Sequence, residues 1–315
     1  MDFIFNFENK KQGDKKKEKT LMTGKEQTRR QLLQAAGIGA VASLAGASSS
    51  LGQVRPAPPR GRVRGSAAQR AGKPLFKLGL ASYTLRKFNL DDTLAMTKRV
   101  GLKYICFKSF HLPLDSTPAQ IQAVVAKVNE AGLILYGGGV ISMTTEDQVH
   151  NAFDYAKAAG MKVIIGVPVP ELLPLVDKKV KKYDIKVAIH NHGPGDKIYP
   201  TPASAYERIK DLDKRIGLCN DIGHTIRIGS DPVVSAKKFA DRLLDVHMKD
   251  VSEATTEGHA VEVGRGVIDI PMFLKTLLEI KYSGIVSFEY EKDEDDPLAG
   301  LAESVGYVRG VLAAI

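Results

Sequence analysis

From residue 75 onward, short runs rich in β-branched and aromatic residues alternate with longer stretches whose apolar residues recur every three or four positions. The short runs are LFKLGLASY (75–83), KYICFK (103–108), LILYGGG (133–139), KVIIGV (162–167), KVAIHNH (186–192), IGLCND (216–221), RLLDVHMK (242–249) and GIVSFEYE (284–291). They predict eight strands. Between them, TPAQIQAVVAKVNEAG, TEDQVHNAFDYAKAAG and TPASAYERIKDL predict amphipathic helices that begin at a threonine N-cap, and the first two stop at glycine. Strands alternating with helices call for a parallel sheet, and eight such units in ~240 residues predict an α/β fold of the (β/α)₈ TIM barrel type over 74–315. An open doubly wound sheet would carry a phosphate-binding glycine fingerprint after its first strand. ASYTLRKF has none, and Gly137-Gly138-Gly139 after the third strand is a weak substitute.

Alternation along each strand separates its two faces. Strand five puts Ala188, His190 and His192 on one side and Val187 and Ile189 on the other. Strand seven sets Asp245, His247 and Lys249 against Leu244, Val246 and Met248, and strand eight sets Ser287, Glu289 and Glu291 against Val286, Phe288 and Tyr290. Cys219 and Asp221 on strand six, and Tyr104, Cys106 and Lys108 on strand two, follow the same rule. One face is apolar and suits packing under helices, while the other turns polar towards its C-terminal end. Charged groups therefore converge on the mouth of the barrel, where barrels of this kind place their sites.

His190 or His192, Asp221, His247 and Glu289 end four consecutive strands. Neutral imidazoles with carboxylates suit Mn, Zn, Co or Fe, so these residues are metal-ligand candidates. An inward carboxylate in an apolar strand is costly unless it is paired or bound to metal, which favours function for Asp221 and Glu289. Lys108 and Lys249 are candidates for a base or an oxyanion stabiliser, with Glu291 or Glu171 as a second carboxylate. Tyr83 and Arg86 in SYTLR, His111 in KSFHLP and Arg265 in VGRG are candidate substrate contacts, whereas His150 lies within a helix.

Charge changes this picture only at the N-terminus. The formal net charge is +9, but residues 1–73 hold 15 Lys and Arg against 5 Asp and Glu, leaving 30 against 31 in residues 74–315. The barrel has no electrostatic case for nucleic acid. Within the leader, Arg29-Arg30 precedes the apolar AAGIGAVASLAGA, which ends in Ala45-Gly46-Ala47. The order of parts predicts a twin-arginine signal peptide within residues 1–47, a Ser-, Pro- and Arg-rich linker over 48–73, and export to the periplasm without a stable membrane anchor. Cys106 and Cys219 support neither a disulfide framework nor a C-x-x-C metal motif.

Taken together, SYTLR, FKSFHLP, IHNHGP, NDIGH, DVHMKD, GRGVID and FEYE resemble the xylose isomerase-like TIM-barrel family, the sugar phosphate isomerase/epimerase superfamily. The resemblance implies one divalent ion of the Mn, Zn, Co or Mg type, with Asp221, His247 and Glu289 carried over as ligands. It also implies His224 of NDIGH, beside Tyr83, Arg86, His111, Arg265 and Glu291, as a substrate contact. Epimerases of the family carry a metal-binding, proton-moving glutamate on strand five, and this chain has His190 there. By alignment His190 is the ligand, and His192, one layer nearer the mouth, meets the substrate. Proton transfer then falls to Lys108, Glu289, His192 or Lys249. The family's DNA-repair branch needs more His and Glu ligands and a basic face, and neither is present.

The expected activity is metal-dependent isomerisation or epimerisation of a sugar or keto-sugar. Two alternatives remain open: elimination from a 3-keto-glycoside on the same scaffold, and carbohydrate binding without catalysis. The partner is a small carbohydrate, not nucleic acid, and assembly with copies of itself is left open.

Overall fold

The structure, a computed structural model, describes residues 74–315; the proposed signal peptide and linker lie outside the described residues. Seven strands follow in order: β1 (Lys77–Ala81), β2 (Tyr104–Phe107), β3 (Ile134–Met143), β4 (Val163–Pro168), β5 (Lys186–His190), β6 (Ile216–Asp221) and β7 (Leu243–Met248). A two-stranded hairpin, β8 (Asp250–Val251) and β9 (Ala260–Val261), precedes the eighth barrel strand, β10 (Ile285–Phe288). All eight barrel strands pair in parallel and close with β10 between β7 and β1.

Helices cover the outside: α1 (Leu90–Arg99), α2 (Pro118–Glu130), α3 (Glu146–Ala158), α4 (Leu173–Tyr183), α5 (Pro202–Ile209), α6 (Ile222–Arg227), α7 (Pro232–Lys238), α8 (Ile270–Glu279) and α9 (Leu298–Ala314). The threonines that predict helix starts act as caps. Thr117 forms a reciprocal capping box with Gln120, and Thr201 forms one with Ser204, each with proline in the first turn.

Two buried layers follow from the alternation. Ile105, Phe107, Val187, Ile189, Leu218, Val246, Met248, Val286 and Phe288 pack outward against the helices. Cys106, Tyr136, Val163, Ile165, Ala188 and Cys219 fill the barrel interior. Both cysteines are free and buried.

The structure corrects two boundaries. Strand three does not end at its glycines but continues to Met143. A Cβ on Gly137 would meet the Val163 carbonyl at 2.8 Å, and one on Gly139 would meet that of Ile165 at 2.2 Å, so the glycine run lets β3 lie close against β4. Strand five, by contrast, stops at His190. His192 therefore belongs to the following loop rather than to the strand face it was expected to share with His190.

Candidate active site

The C-terminal ends of β5, β6, β7 and β10 bring His190, Asp221, His247 and Glu289 together, each buried, with one donor atom apiece within 4.8 Å of the others. His190 Nε2 lies 3.1 Å from His247 Nδ1 and 3.3 Å from Asp221 Oδ2. His247 Nδ1 lies 3.0 Å from Glu289 Oε2 and 3.9 Å from Asp221 Oδ2. These short separations arise because parallel pairing puts Cys219, just before the end of β6, beside His190, and sets Asp221 opposite His247.

The strand ends are braced from behind. Asp221 caps α6, its Oδ1 accepting the His224 N–H at 2.8 Å. Asn191 Oδ1 accepts the Asp221 N–H at 3.1 Å, while Asn191 Nδ2 donates to Thr225 Oγ1 at 3.1 Å. Asp221 thus spends one carboxylate oxygen on the fold and directs Oδ2 into the cluster, where it is buried without hydrogen-bond geometry to any partner.

Two nitrogens and two carboxylate oxygens converging within 4.8 Å of one another match the donor set of a first-row divalent ion. Asp221 Oδ2 supplies the second sign of fit: it is buried, accepts no hydrogen bond in good geometry, and is compensated only by neighbouring cationic groups.

Lys249 completes the charge pattern. Its Nζ, on a side chain only 4% exposed, lies 3.0 Å from Asp221 Oδ2, 2.8 Å from Glu289 Oε2 and 2.9 Å from Glu291 Oε1. Burial acts to raise the Asp221 carboxyl, but Lys249, His224 and His190 outweigh it and hold it well below the usual carboxylate range. Glu289 is held low in the same way against its burial, by His247 and then Lys249. Burial pushes the imidazoles of His190 and His224 down, to about 3 and about 4, leaving both neutral. Neutral imidazole is the metal-binding form.

Above the cluster opens a pocket of about 310 Å³. Tyr83, Lys108 and the Val140 backbone form one side, while His190, His192, His224, Lys249, Glu289 and Glu291 form the other. Lys108 Nζ donates to the Val140 carbonyl at 2.6 Å, and burial pulls its pKa below the ordinary lysine value. His192 is 40% exposed at the rim, where its Nδ1 lies 3.3 Å from Asp196 Oδ2. The other oxygen of Asp196 accepts from the backbone N–H groups of Ile198 and Tyr199, so the carboxylate beside His192 is fixed.

Of the residues expected from sequence, four are not brought into the pocket. His111 is buried behind it, within hydrogen-bond reach of Ser82 Oγ and Thr93 Oγ1 at 2.8 and 2.9 Å. Arg86 stacks 4.8 Å over the Tyr83 ring and pairs with Glu294 at 2.9 Å, which places it behind the Tyr83 wall. Arg265 pairs with Glu303 on the surface at 2.5 Å. Its motif folds a loop instead: Asp250 Oδ2 accepts the N–H groups of Gly264 and Gly266 at 2.9 and 3.0 Å. A Cβ on Gly266 would sit 2.2 Å from that carboxylate, which explains the glycine. Glu171 is exposed and does not line the pocket.

Sequence reasoning missed Val140 and Asp196. The first contributes only a backbone carbonyl, which no side-chain pattern marks. The second sits in a Gly-Pro-Gly-Asp turn whose path sequence does not define.

The model of the family described as xylose isomerase-like TIM barrel matches residues 94–311. The chain belongs to this family. Among curated relatives, the rhizopine catabolism protein MocC of Rhizobium meliloti is 28% identical over 131 residues, covering 37% of this chain and 40% of that protein. An inosose dehydratase of Clostridium tetani is 25% identical over 139 residues, 37% of this chain and 44% of the relative. An inosose isomerase of Bacillus subtilis is 26% identical over 160 residues, 44% of this chain and 57% of the relative. The matched segments thus span about half the length of these relatives. Among solved structures, the 3-keto-D-glucoside 4-epimerase from E. coli superposes with a TM-score of 0.61 at 16% identity, over 75% of this chain and 99% of the other, a likeness of fold. Among the described residues, no helix of this family member is long and apolar enough to cross a membrane.

Proposed function

We propose that the chain is a metal-dependent enzyme that isomerises or epimerises a keto-sugar or a cyclic keto-polyol by moving a proton next to the carbonyl. The observation that carries this reading is the juxtaposition, in one pocket, of the His190, Asp221, His247 and Glu289 cluster with Lys108, a lysine whose pKa burial lowers. The relatives named for inosose chemistry support a polyol ketone as substrate.

A divalent ion held by those four residues would supply Lewis-acid polarisation of the carbonyl and its neighbouring hydroxyl. The chain's own groups do the rest. Lys108, in its neutral form, takes the proton from the carbon next to the carbonyl. The Lys249 ammonium faces the oxygen on which negative charge develops. Return of the proton by Lys108 to the neighbouring carbon gives the isomer; protonation of the opposite face by a second acid in the pocket, for which His192 is the candidate, while Lys108 keeps the first proton, gives the epimer. At ~300 Å³ the pocket is at the small end for ligand sites and suits a single ring.

A second reading, elimination, rests on His192. Held by Asp196 at the rim, it is placed to protonate a departing hydroxyl or alkoxide after the same proton abstraction, the β C–O bond breaking as the alkene forms. Export of the folded barrel by a twin-arginine leader belongs to the same proposal and rests on residues 29–47 alone.

The test is incubation with free ketoses, inosose and 3-keto-glucosides in deuterated water, with and without a chelator. Deuterium in an intact isomer, lost on chelation, supports the first reading, and release of water or aglycone supports the second. No turnover of any of them by metal-loaded protein, together with unperturbed carbohydrate binding, would leave a binding protein.

A further inference from the structure

The two carboxylate oxygens that face the cluster's histidines are also the two that Lys249 touches. Asp221 Oδ2 meets His190 Nε2 at 3.3 Å and Lys249 Nζ at 3.0 Å, while Glu289 Oε2 meets His247 Nδ1 at 3.0 Å and Lys249 Nζ at 2.8 Å. An ion placed among the four donors would bind these same oxygens and would stand next to the ammonium. We propose that Lys249 is a tethered cation that holds the place of the divalent ion between Asp221 and Glu289, and that the bound ion displaces its ammonium onto Glu291. The inference rests on the metal site of the proposed function and adds to it a competitor built into the chain.

Three features of the structure support displacement rather than expulsion. First, Glu291 Oε1 already lies 2.9 Å from Lys249 Nζ and is more open, 31% exposed against 8% for Glu289, so a receiving carboxylate stands on the pocket side. Second, the root of the lysine cannot move. A Cβ on Gly223, at the start of α6, would sit 2.8 Å from Lys249 Cβ and 3.2 Å from its Cδ, so the α6 backbone packs along the stem and leaves freedom only at its end. Third, the charges balance. Asp221, Glu289 and Glu291 together carry three negative charges, matched by one divalent ion and one ammonium. The lysine alone leaves an excess of negative charge, and the ion alone leaves Glu291, on the pocket side, without a partner cation. Like charges at contact distance repel strongly in so dry a place, so the ion and the ammonium cannot both keep the same two oxygens.

The device has a purpose in the proposed chemistry. It prevents the two ligand carboxylates from facing each other unpaired before an ion arrives, and it delivers the ammonium to the substrate side of the site once the ion is in place.

The experiment is calorimetric titration of metal-depleted protein with MnCl₂ and with ZnCl₂, for wild type, Lys249→Met, Lys249→Gln and Glu291→Gln. Removing the competing cation is expected to tighten ion binding by about 10- to 100-fold in both lysine variants. Glu291→Gln, which removes the receiving carboxylate from a half-open position, is expected to weaken it by about 3- to 10-fold. A purely structural lysine predicts the opposite for its own replacement, since losing a brace leaves affinity unchanged or lower. That result would overturn the proposal, as would unchanged or tighter binding in Glu291→Gln. Should the lysine variants not fold, Glu291→Gln decides by itself. Wild type that takes up neither ion removes the metal site and the proposed function with it, whereas uptake by wild type without tightening in the lysine variants removes only the displacement.

Discussion

His190 Nε2 and His247 Nδ1 face each other at 3.1 Å, across the end of the intervening strand β6. Only one of the two nitrogens can carry the proton between them. Burial keeps His190 neutral, whereas His247, despite its burial, is raised by Glu289 and Asp245. The shared proton therefore belongs to His247 Nδ1, which also lies 3.0 Å from Glu289 Oε2. Raised by these carboxylates, His247 is the imidazole of the cluster favoured to carry both protons, and an ion bound through Nδ1 takes the place of one of them. Titrations with Mn²⁺ in buffers of different ionisation enthalpy are expected to show release of about one proton per ion, with affinity falling as the pH drops.

Lys108→Met tests the proton carrier. The substitution removes the amine but leaves the four ligands in place, so metal content should stay at the wild-type level while kcat drops by about 10²- to 10⁴-fold. A neutral amine is the active form, so kcat/KM of wild type should rise with pH through a pKa below the ordinary lysine value, and this limb should be missing from the variant. An unchanged profile would assign the base elsewhere.

Asp245 lies in the barrel beneath the cluster, fully buried, with Cys219 Sγ 3.8 Å from one carboxylate oxygen and no partner on the other. Burial pushes its pKa up to about 7. A carboxyl raised on folding favours the folded state while protonated, so its contribution is full below the unfolded value near 4 and is lost as pH rises to about 7. Asp245→Asn, which cannot ionise, should therefore be more stable than wild type at pH 8, by roughly 4 kcal/mol at most, with the difference shrinking towards pH 4. Thermal melts of both proteins across that range measure it.

The Asp250 carboxylate gathers four backbone N–H groups, those of Val251, Gly264, Gly266 and Ile268, at 2.9 to 3.2 Å. Asp250→Ala strands buried donors and releases the loop, so a loss of about 3–5 kcal/mol is expected in urea unfolding. Arg265→Ala, by comparison, breaks an exposed, solvent-screened pair and should leave both the urea midpoint and KM close to wild type.

The parts of the site legible in the sequence are those that alternation can place. Asp221 and His247 lie on strands, and Lys108 and Glu289 one residue past them, in runs whose inward residues fall at every second position. His192 breaks the pattern, because the strand ends at His190 and the loop path then depends on contacts such as His192 N–H to the Tyr199 carbonyl at 3.2 Å. His111, Arg86 and Arg265 follow strands in loops as well. Each finds a polar partner outside the pocket, and nothing in the local sequence distinguishes a substrate contact from an internal brace.

Fold and inward polarity were thus determined by the sequence alone, since strand-helix alternation and the two-residue period of strand side chains are local properties that short windows of chain express. The tertiary structure decided how the charges are shared. That Lys249 touches Asp221 and Glu289, and that Arg265 turns to Glu303, are matters of distance between residues 28 to 40 positions apart. Electrostatic and hydrogen-bond energies depend on separations of a few tenths of an ångström, which only the closed barrel defines.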